Sequence, residues 1–363
     1  MHRDPALTIL VPTGRASYGS LVGLPDEHLF LRTMKSLAAQ DCMDFELVIA
    51  DACAAHRDLR HEICALGAPW PFPWRVVPVT SPWLSIGRAA IQRTLNIGFV
   101  YSDAKVVHMA GDAAEFPSHV VGEILKWTAK GYQPQLLSVY KRAGELIYIN
   151  EQTKDERFGH GHNTSLTYGD MQKLGIFKDI ARDSRWTDVE RVDPLFGAPW
   201  SWLHNHPTVF RKHLFEINGF DENLDGEKAL QDVEMGSRLE MAGLWKPVLT
   251  KELYCWDYDH GSWDTKTFFK ESVPGPRSNY QLIVLTREQK RFRANSIKLT
   301  AKEYSWIIQS GATAIEDRCP VYDKEKEPES YFLQRIGFAI QPIFDLQSMW
   351  AARRVSEGKP CAF

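Results

Sequence analysis

The sequence lacks long hydrophobic runs and a strong net charge. Among its 363 residues, 44% are hydrophobic and 25% charged, yet no apolar stretch approaches the roughly 20 residues of a membrane-spanning helix. The opening "MHRDPALTILVP" does not have the layout of a signal peptide. A formal net charge of −3 gives no bulk preference for nucleic acid or an anionic membrane, although a local basic groove is compatible with it. We therefore expect a globular, cytoplasmic protein with no membrane span.

The sequence also lacks a cysteine pattern. Its six cysteines form no C-x-x-C pair and no spacing typical of a zinc site. They are Cys42, Cys53, Cys64, Cys255, Cys319 and Cys361. Such scattered residues predict free thiols in a reducing compartment.

What is present is an alternation of short apolar runs with helical patterns. Four runs read as strands, the third placed at a sheet edge or ended early by Pro78: "ALTILVP", "FELVIAD", "WRVVPV" and "AKVVHMAGD". Helices are predicted from about Asp26 to Ala39 and over "SIGRAAIQRTLNIGFVYS". This alternation predicts an α/β fold with a parallel, doubly wound sheet, whose ligands bind beyond the carboxyl ends of the strands. Asp51 and Asp112 are predicted to lie at those ends.

The later part of the chain is less regular. "QLLSVYKR" is a predicted strand, and the composition shifts after about Thr265 to mixed charged and aromatic residues. A helix is predicted from Tyr331, broken near Pro342. We predict a main domain of residues 1–264 and a C-terminal, helical appendage of residues 265–363.

Asp232 and Glu234 open an amphipathic helical pattern, "ALQDVEMGSRLEMAG". The helix dipole favours acidic residues in a first turn by about 0.3–1 kcal/mol, so a structural role and a catalytic role both fit. The two side chains point about 200° apart on a helix, which rules them out as the paired carboxylates of a glycoside hydrolase. For Asp51 and Asp112, turn or helix-capping roles are equally open.

Four segments together resemble the family-2 type of the GT-A inverting glycosyltransferases, which use nucleotide-sugar donors. "LTILVPTGR" looks like the family's first strand, and "FELVIADACAAHRD" looks like its second strand with the acidic nucleotide site. "TLNIGFVYSDAKVVHMAGD" is similar to the A-R-N-x-G helix and the strand that carries the D-x-D metal site. "VFRKHLFEINGFDENLDGEKALQDVEMGSRLEMAG" resembles the segment that carries the G-G-F-D-E and E-D motifs. The resemblance covers roughly residues 7–263.

The chain departs from the family pattern at several positions. Asp51 is followed by Ala52 where the family has a second aspartate, and Asp112 is the only carboxylate of the reduced D-x-D motif. Gln231 replaces the glutamate of the E-D pair. These losses leave open a non-catalytic relative that binds a nucleotide sugar or a glycan.

The resemblance implies a GT-A, Rossmann-like fold with a nucleotide half at about 1–130 and an acceptor half at about 131–264. It implies a UDP-sugar donor, a Mn²⁺ or Mg²⁺ ion, and transfer to an acceptor hydroxyl with inversion. Asp232 is the expected general base, because a helix N-terminus favours the ionised carboxylate. The expected nucleotide-binding residues are Pro12, Thr13, Arg15, Asp51, Arg88 and Asp112, the metal ligands Asp112 and His260, and the acceptor-lining residues Trp202 and Trp263.

Arg15 and Arg88 fit surface positions as well as phosphate contacts, and both tryptophans fit core packing. The acceptor is left open by the sequence: a glycan, a small molecule, a protein and a hydroxylated DNA base are all compatible. The run "TREQKRFRANSIK" is either a solvated helix face or a groove for a phosphate-bearing acceptor such as nucleic acid. Its basic residues are Arg287, Lys290, Arg291, Arg293 and Lys298. "HNH" at residues 204–206 has no surrounding nuclease pattern, and "GHGHN" reads as a surface loop.

Overall fold

A computed structural model describes most of the chain. The described residues are 4–14, 29–67, 69–85, 90–142, 179–183, 185–203, 206–225, 231–259, 276–295 and 345–361. Several residues named above lie outside them: Arg15, Arg88, His260, Trp263, Lys298 and the predicted helix from Tyr331 to Pro342.

The strands in chain order are β1 (Leu7–Thr13), β2 (Phe45–Asp51), β3 (Trp74–Pro78), β4 (Val106–Met109), β5 (Ala114–Glu115), β6 (Gln133–Pro134), β7 (Leu137–Arg142), β8 (Asp179–Arg182), β9 (Leu195–Phe196), β10 (Thr208–Phe210), β11 (Pro247–Leu249) and β12 (Tyr254–Asp259). The α-helices are α1 (Leu29–Ala38), α2 (Leu59–Ala65), α3 (Pro82–Ser85), α4 (Ile91–Val100), α5 (Val120–Ala129), α6 (Trp186–Arg191), α7 (Arg211–Ile217), α8 (Gln231–Met241), α9 (Pro276–Glu288) and α10 (Leu346–Ser356). Short 3₁₀ helices cover Trp200–Trp202 and Glu222–Leu224.

The main sheet has the strand order β10-β4-β1-β2-β3, in which β4, β1, β2 and β3 are parallel and β10 is antiparallel to β4. Every residue of β2 is buried, Glu46 and Asp51 included, as its mainly apolar sequence predicts for a strand covered on both faces. Helix α1 packs on one face and α4 on the other. The predicted α/β class with a parallel, doubly wound sheet is confirmed, and β3 is an edge strand that ends at Pro78.

Two predicted boundaries are wrong. Strand β4 ends at Met109, so Asp112 lies in a turn beyond it, closed by a hydrogen bond from Ala114 N–H to the Gly111 carbonyl (N···O 3.3 Å). The helix predicted over residues 85–102 starts as α4 only at Ile91. It starts there because a distant carboxylate, that of Asp225, accepts the N–H groups of Gln92 and Arg93 in the first turn.

Two smaller sheets adjoin the main one. One has the order β6-β11-β9, and the other has the order β5-β12-β7-β8. Strand β7 coincides with the predicted strand "QLLSVYKR". Strand β5 directly follows the turn that carries Asp112, and it pairs with β12 through Ala114 and Asp257. The second half of the chain therefore reaches the carboxyl ends of the main strands.

Helix α10 lies in the core next to the main sheet, although it belongs to the predicted appendage. Trp350 is fully buried, and its indole N–H donates to the carbonyl of Ser102 (N···O 2.8 Å). Arg353 and Arg354 both bind the carboxylate of Asp103. The domain boundary at residue 264 stays a prediction, but this helix is a structural part of the first domain's core.

Within the described residues, no helix combines the length and the apolar character needed to cross a bilayer. The described cysteines, Cys42, Cys53, Cys64, Cys255 and Cys361, are free thiols. A cytoplasmic location stays a prediction.

Candidate active site

The ends of β1 and β2 bring Thr13 and Asp51 together. The two residues pair directly in the sheet register, and both are buried. Arg57 binds both side chains: its Nη2 lies 2.8 Å from Asp51 Oδ1 and 3.2 Å from Thr13 Oγ1, and its Nε lies 3.2 Å from Asp51 Oδ2. The sequence predicted Thr13 and Asp51 but missed Arg57, because an arginine in "CAAHRD" has no pattern that distinguishes it from a surface residue.

Asp112 faces the same end of the sheet. Its side chain is mostly buried, and its carbonyl accepts from the hydroxyl of Thr33 on α1 (O···O 3.3 Å). Burial raises the pKa of the Cys53 thiol to about 12, the charge of Arg57 opposes the rise, and the negative charges of Asp51 and Asp112 add to it. Both carboxylates therefore act on one buried thiol at the carboxyl ends of β2 and β4.

Helix α4 and the segment that contains Phe220, which carry the two longest motifs, are joined by hydrogen bonds. Asn96 of α4 donates through Nδ2 to the Phe220 carbonyl (3.0 Å) and accepts through Oδ1 from the Phe220 N–H (2.8 Å). Gly219 makes this contact possible, since its φ is +72° and a Cβ there would lie 2.3 Å from Asn96 Oδ1. The asparagine and the glycine of these motifs are thus used to join α4 to the segment that leads to Asp232.

Asp225 strengthens the same junction. Its two carboxylate oxygens accept the N–H groups of Gln92 (2.9 Å) and Arg93 (3.2 Å) at the N-terminus of α4. Burial, together with the nearby charge of Glu222, raises the pKa of Asp225. Asp225 is a helix cap shielded from solvent, and the sequence analysis did not identify it.

The two acidic residues of α8 have different environments. Glu234 is buried and forms an ion pair with Arg238, whose Nη1 also donates to the Ile217 carbonyl (2.8 Å). Asp232 is partly buried in the first turn of α8, and its Oδ1 accepts from the N–H of Val233 (2.8 Å). The sequence argument that these side chains do not act as a pair agrees with this arrangement.

The 3₁₀ helix Trp200–Trp202 packs directly against α8. A Cβ on Gly236 would lie 2.6 Å from the Trp200 carbonyl oxygen, so the close approach requires a glycine. The guanidinium of Arg287 lies over the Trp200 ring, 4.6 Å from its centroid. The segment that carries Trp202 therefore lies beside the helix that carries Asp232; the Trp202 side chain itself is outside the described residues.

Part of the predicted basic run serves internal contacts. Arg287 donates to Ser237 Oγ (2.9 Å) and to Glu240 Oε2 (3.0 Å), which joins α9 to α8. Arg293 donates to the Phe215 carbonyl (3.2 Å) and to Asp345 Oδ2 (2.5 Å). These two arginines are explained by the fold, and a role of the run in binding nucleic acid stays a prediction.

No protein-family model matches the sequence, and no curated protein is significantly similar to it. Among solved structures, S. aureus TarS is 12% identical with a TM-score of 0.48; the match covers 94% of this chain and 50% of that one, so the chain spans about half of its length. TarS 1–349 in complex with UDP-GlcNAc is 10% identical over 97% of this chain and 92% of that one, with a TM-score of 0.49. TarS 1–349 in complex with UDP is 12% identical over 94% of this chain and 82% of that one, with a TM-score of 0.45.

Proposed function

We propose that this protein transfers a sugar from a nucleotide-sugar donor, a UDP-sugar, to an acceptor hydroxyl with inversion at the anomeric carbon. One observation carries the proposal. Thr13, Asp51 and Asp112 gather at the carboxyl ends of parallel strands, and Asp232 opens a separate helix beside the Trp200–Trp202 segment. This arrangement supports a donor site on the sheet and a base on the acceptor side.

On the donor side, Asp51 is the proposed contact of the uracil ring, whose imide N–H needs an acceptor oxygen. Arg57 fixes the carboxylate and the Thr13 hydroxyl in one orientation, which prepares the pocket before the nucleotide arrives. Pro12 contributes backbone at the end of β1, and Arg15 and Arg88 are the proposed phosphate contacts.

Asp112 is the proposed ligand of a Mn²⁺ or Mg²⁺ ion, and a carboxylate oxygen suits either cation. Strand β12 passes beside the Asp112 turn, since Asp257 pairs with Ala114. His260, which the resemblance implies as a metal ligand, is the proposed second ligand. When bound, the ion would neutralise the charge that develops on the diphosphate leaving group.

On the acceptor side, Asp232 is the proposed general base. The N-terminal turn of α8 favours its ionised form, in which it can take the proton of an attacking hydroxyl. Trp202 and Trp263 are the proposed lining of the acceptor site, where aromatic faces can pack on sugar rings. A glycan or a small molecule is the favoured acceptor class.

The proposal is tested by measuring nucleoside diphosphate release from UDP-GlcNAc, UDP-glucose, UDP-galactose and GDP-mannose. Each donor is assayed with Mn²⁺, with Mg²⁺ and with EDTA, in the presence of mixed glycan and small-molecule acceptors. We expect one UDP-sugar to release UDP in a metal-dependent reaction. Binding of a donor by calorimetry without release under any condition would instead favour a non-catalytic nucleotide-sugar-binding protein, the alternative that the reduced D-x-D motif suggests.

Replacing Arg57 with lysine is expected to raise the KM for the donor by about tenfold, or ~1.4 kcal/mol, with a smaller change in kcat. Lysine keeps the charge, but it lacks the planar group that binds Asp51 and Thr13 together. Steady-state kinetics with varied donor measures the effect. Arg60→Lys, at an exposed position of α2, is the matched control. An unchanged KM in Arg57→Lys, or an equal rise in the control, would remove Arg57 from the donor site.

A further inference from the structure

A histidine, a cysteine and an aspartate meet between the main sheet and the sheet that contains β12. His206 precedes β10, and Cys255 and Asp257 lie two residues apart on β12, so their side chains share one face of that strand. One potential ligand atom from each residue lies within 4.8 Å of the other two. His206 and Cys255 are almost completely buried, and Asp257 is mostly buried.

The orientation of His206 is set by its neighbours. Its Nε2 lies 2.8 Å from Asp257 Oδ1, and its Nδ1 lies 3.4 Å from the backbone N–H nitrogen of Gly111. Gly111 leaves room for the ring, because a Cβ there would lie 3.3 Å from His206 Cε1 and 3.7 Å from Asp257 Oδ1. Nε2 therefore points towards the Asp257 carboxylate, and Nδ1 points towards the Gly111 N–H.

The chemistry of this group differs from that of the proposed donor site. Imidazole nitrogen, thiolate sulfur and carboxylate oxygen are the ligands that zinc takes in proteins, whereas Mg²⁺ prefers oxygen alone. Ligand atoms about 2.0–2.3 Å from a tetrahedral ion lie roughly 3.3–3.8 Å from one another, so side-chain movements of about 1 Å suffice to close the cluster on an ion. Binding through Nε2 would move the imidazole proton from Nε2 to Nδ1, at the expense of the long contact with the Gly111 N–H (3.4 Å), and would release the proton of the Cys255 thiol.

We propose that His206, Cys255 and Asp257 bind a divalent transition-metal ion of the zinc type, separate from the ion that a nucleotide sugar would bring. The ion would link β12 to the segment before β10. It would thus join the sheet β5-β12-β7-β8 to the edge of the main sheet. Gly111, which contacts His206, directly precedes Asp112, so the ion would also support the turn that carries Asp112. Its binding needs no nucleotide sugar, and the proposal does not depend on the proposed activity.

The full-length chain, purified without chelator, is loaded with Zn²⁺ or Co²⁺, passed through a desalting column and analysed for metal by mass spectrometry. We expect stoichiometric retention and, with Co²⁺, the near-ultraviolet absorption of a thiolate–cobalt bond. Cys255→Ser should lose that absorption and most of the metal. Cys64→Ser, at an exposed cysteine, should retain both, and Asp112→Asn should retain both because its carboxylate belongs to the other site.

A measurement on the wild-type protein tests the site even if the variants misfold. Zn²⁺ is titrated in competition with a chromogenic chelator, and Tm is recorded before and after addition of a strong zinc chelator. Tight binding with a lower Tm after chelation supports the site. No retained metal and no thiolate–cobalt absorption in the wild type would overturn the proposal, as would equal losses in Cys255→Ser and Cys64→Ser.

Discussion

Asp232→Asn is expected to lower the rate of sugar transfer by about 10²–10⁴-fold, the usual contribution of a general base, while nucleotide-sugar affinity stays unchanged. Asparagine has nearly the same size, and its side-chain oxygen can still accept the Val233 N–H that Asp232 accepts now. It cannot take a proton from the acceptor hydroxyl. The rate is measured as UDP release with the donor and acceptor that the panel identifies, and affinity is measured by calorimetry.

Glu240→Gln is the matched control, because Glu240 is an exposed acid on the same helix and its side chain binds Arg287. It should keep the activity of the wild type. Glu234→Gln would be a poor control, since Glu234 is buried against Arg238 and its loss perturbs folding. Full activity in Asp232→Asn would place the base elsewhere, and a parallel loss of donor affinity would make Asp232 a structural residue.

Asp103→Asn is expected to lower the free energy of unfolding by about 3–5 kcal/mol, because it leaves buried positive charges without their counter-ion. The carboxylate accepts hydrogen bonds from Arg353 and from three further groups: Arg354 Nη1 (2.9 Å), Lys359 Nζ (2.6 Å) and Arg75 Nη2 (3.2 Å). Arg353 and Arg354 are almost fully buried, so water cannot replace the lost partner. Urea unfolding followed by tryptophan fluorescence measures the change.

The loss of stability caused by Asp103→Asn should become smaller as the pH falls. Hydrogen bonds and charges from Arg353 and Lys359 outweigh burial and lower the pKa of Asp103 in the folded protein. A carboxyl whose folded pKa lies below its unfolded value stabilises the fold above about pH 3.9, and this contribution disappears as the pH falls towards the folded pKa. The difference between wild type and Asp103→Asn should therefore be largest near neutral pH and shrink in acid.

Asp188→Asn provides the comparison, because the Asp188 side chain is 40% exposed and its ion pair with Arg191 is long (4.0 Å). Its stability should change by less than about 1 kcal/mol. If Asp103→Asn lowered the free energy of unfolding by as little as Asp188→Asn, the contacts of α10 with the main sheet would not depend on the Asp103 carboxylate.

The sequence predicts best where physical patterns are local. The mainly apolar runs of β1 and β2 identify two-sided burial, and the helical angle between Asp232 and Glu234 separates their roles without any structure. The sequence predicts Asp112 at a strand end because the apolar run of "AKVVHMAGD" continues through Ala110, past the end of β4 at Met109. The turn that follows depends on pairing with β1 and on packing against α1, which periodicity does not contain.

Long-range pairs explain most of what the sequence did not predict. Nothing in "AARRVSEGK" predicts burial, because arginines are rarely buried unless a distant acid such as Asp103 binds them. The same holds for His206, whose partners Cys255 and Asp257 are far away in the chain, beyond any spacing rule for metal ligands. Arg57 is close to Asp51 in sequence, but only the fold adds Thr13 as its second partner.

Because α10 is buried in the core, the core can be completed only after this C-terminal helix has been synthesised. Arg353 follows its partner Asp103 by 250 residues, so at about 5–20 residues per second a ribosome makes the helix roughly 12–50 s after that acid. During this interval the nascent sheet exposes the apolar surface that Trp350 later covers. Completion of the core must wait until the downstream segment has left the ribosome, and we expect chaperones to bind the nascent chain until then.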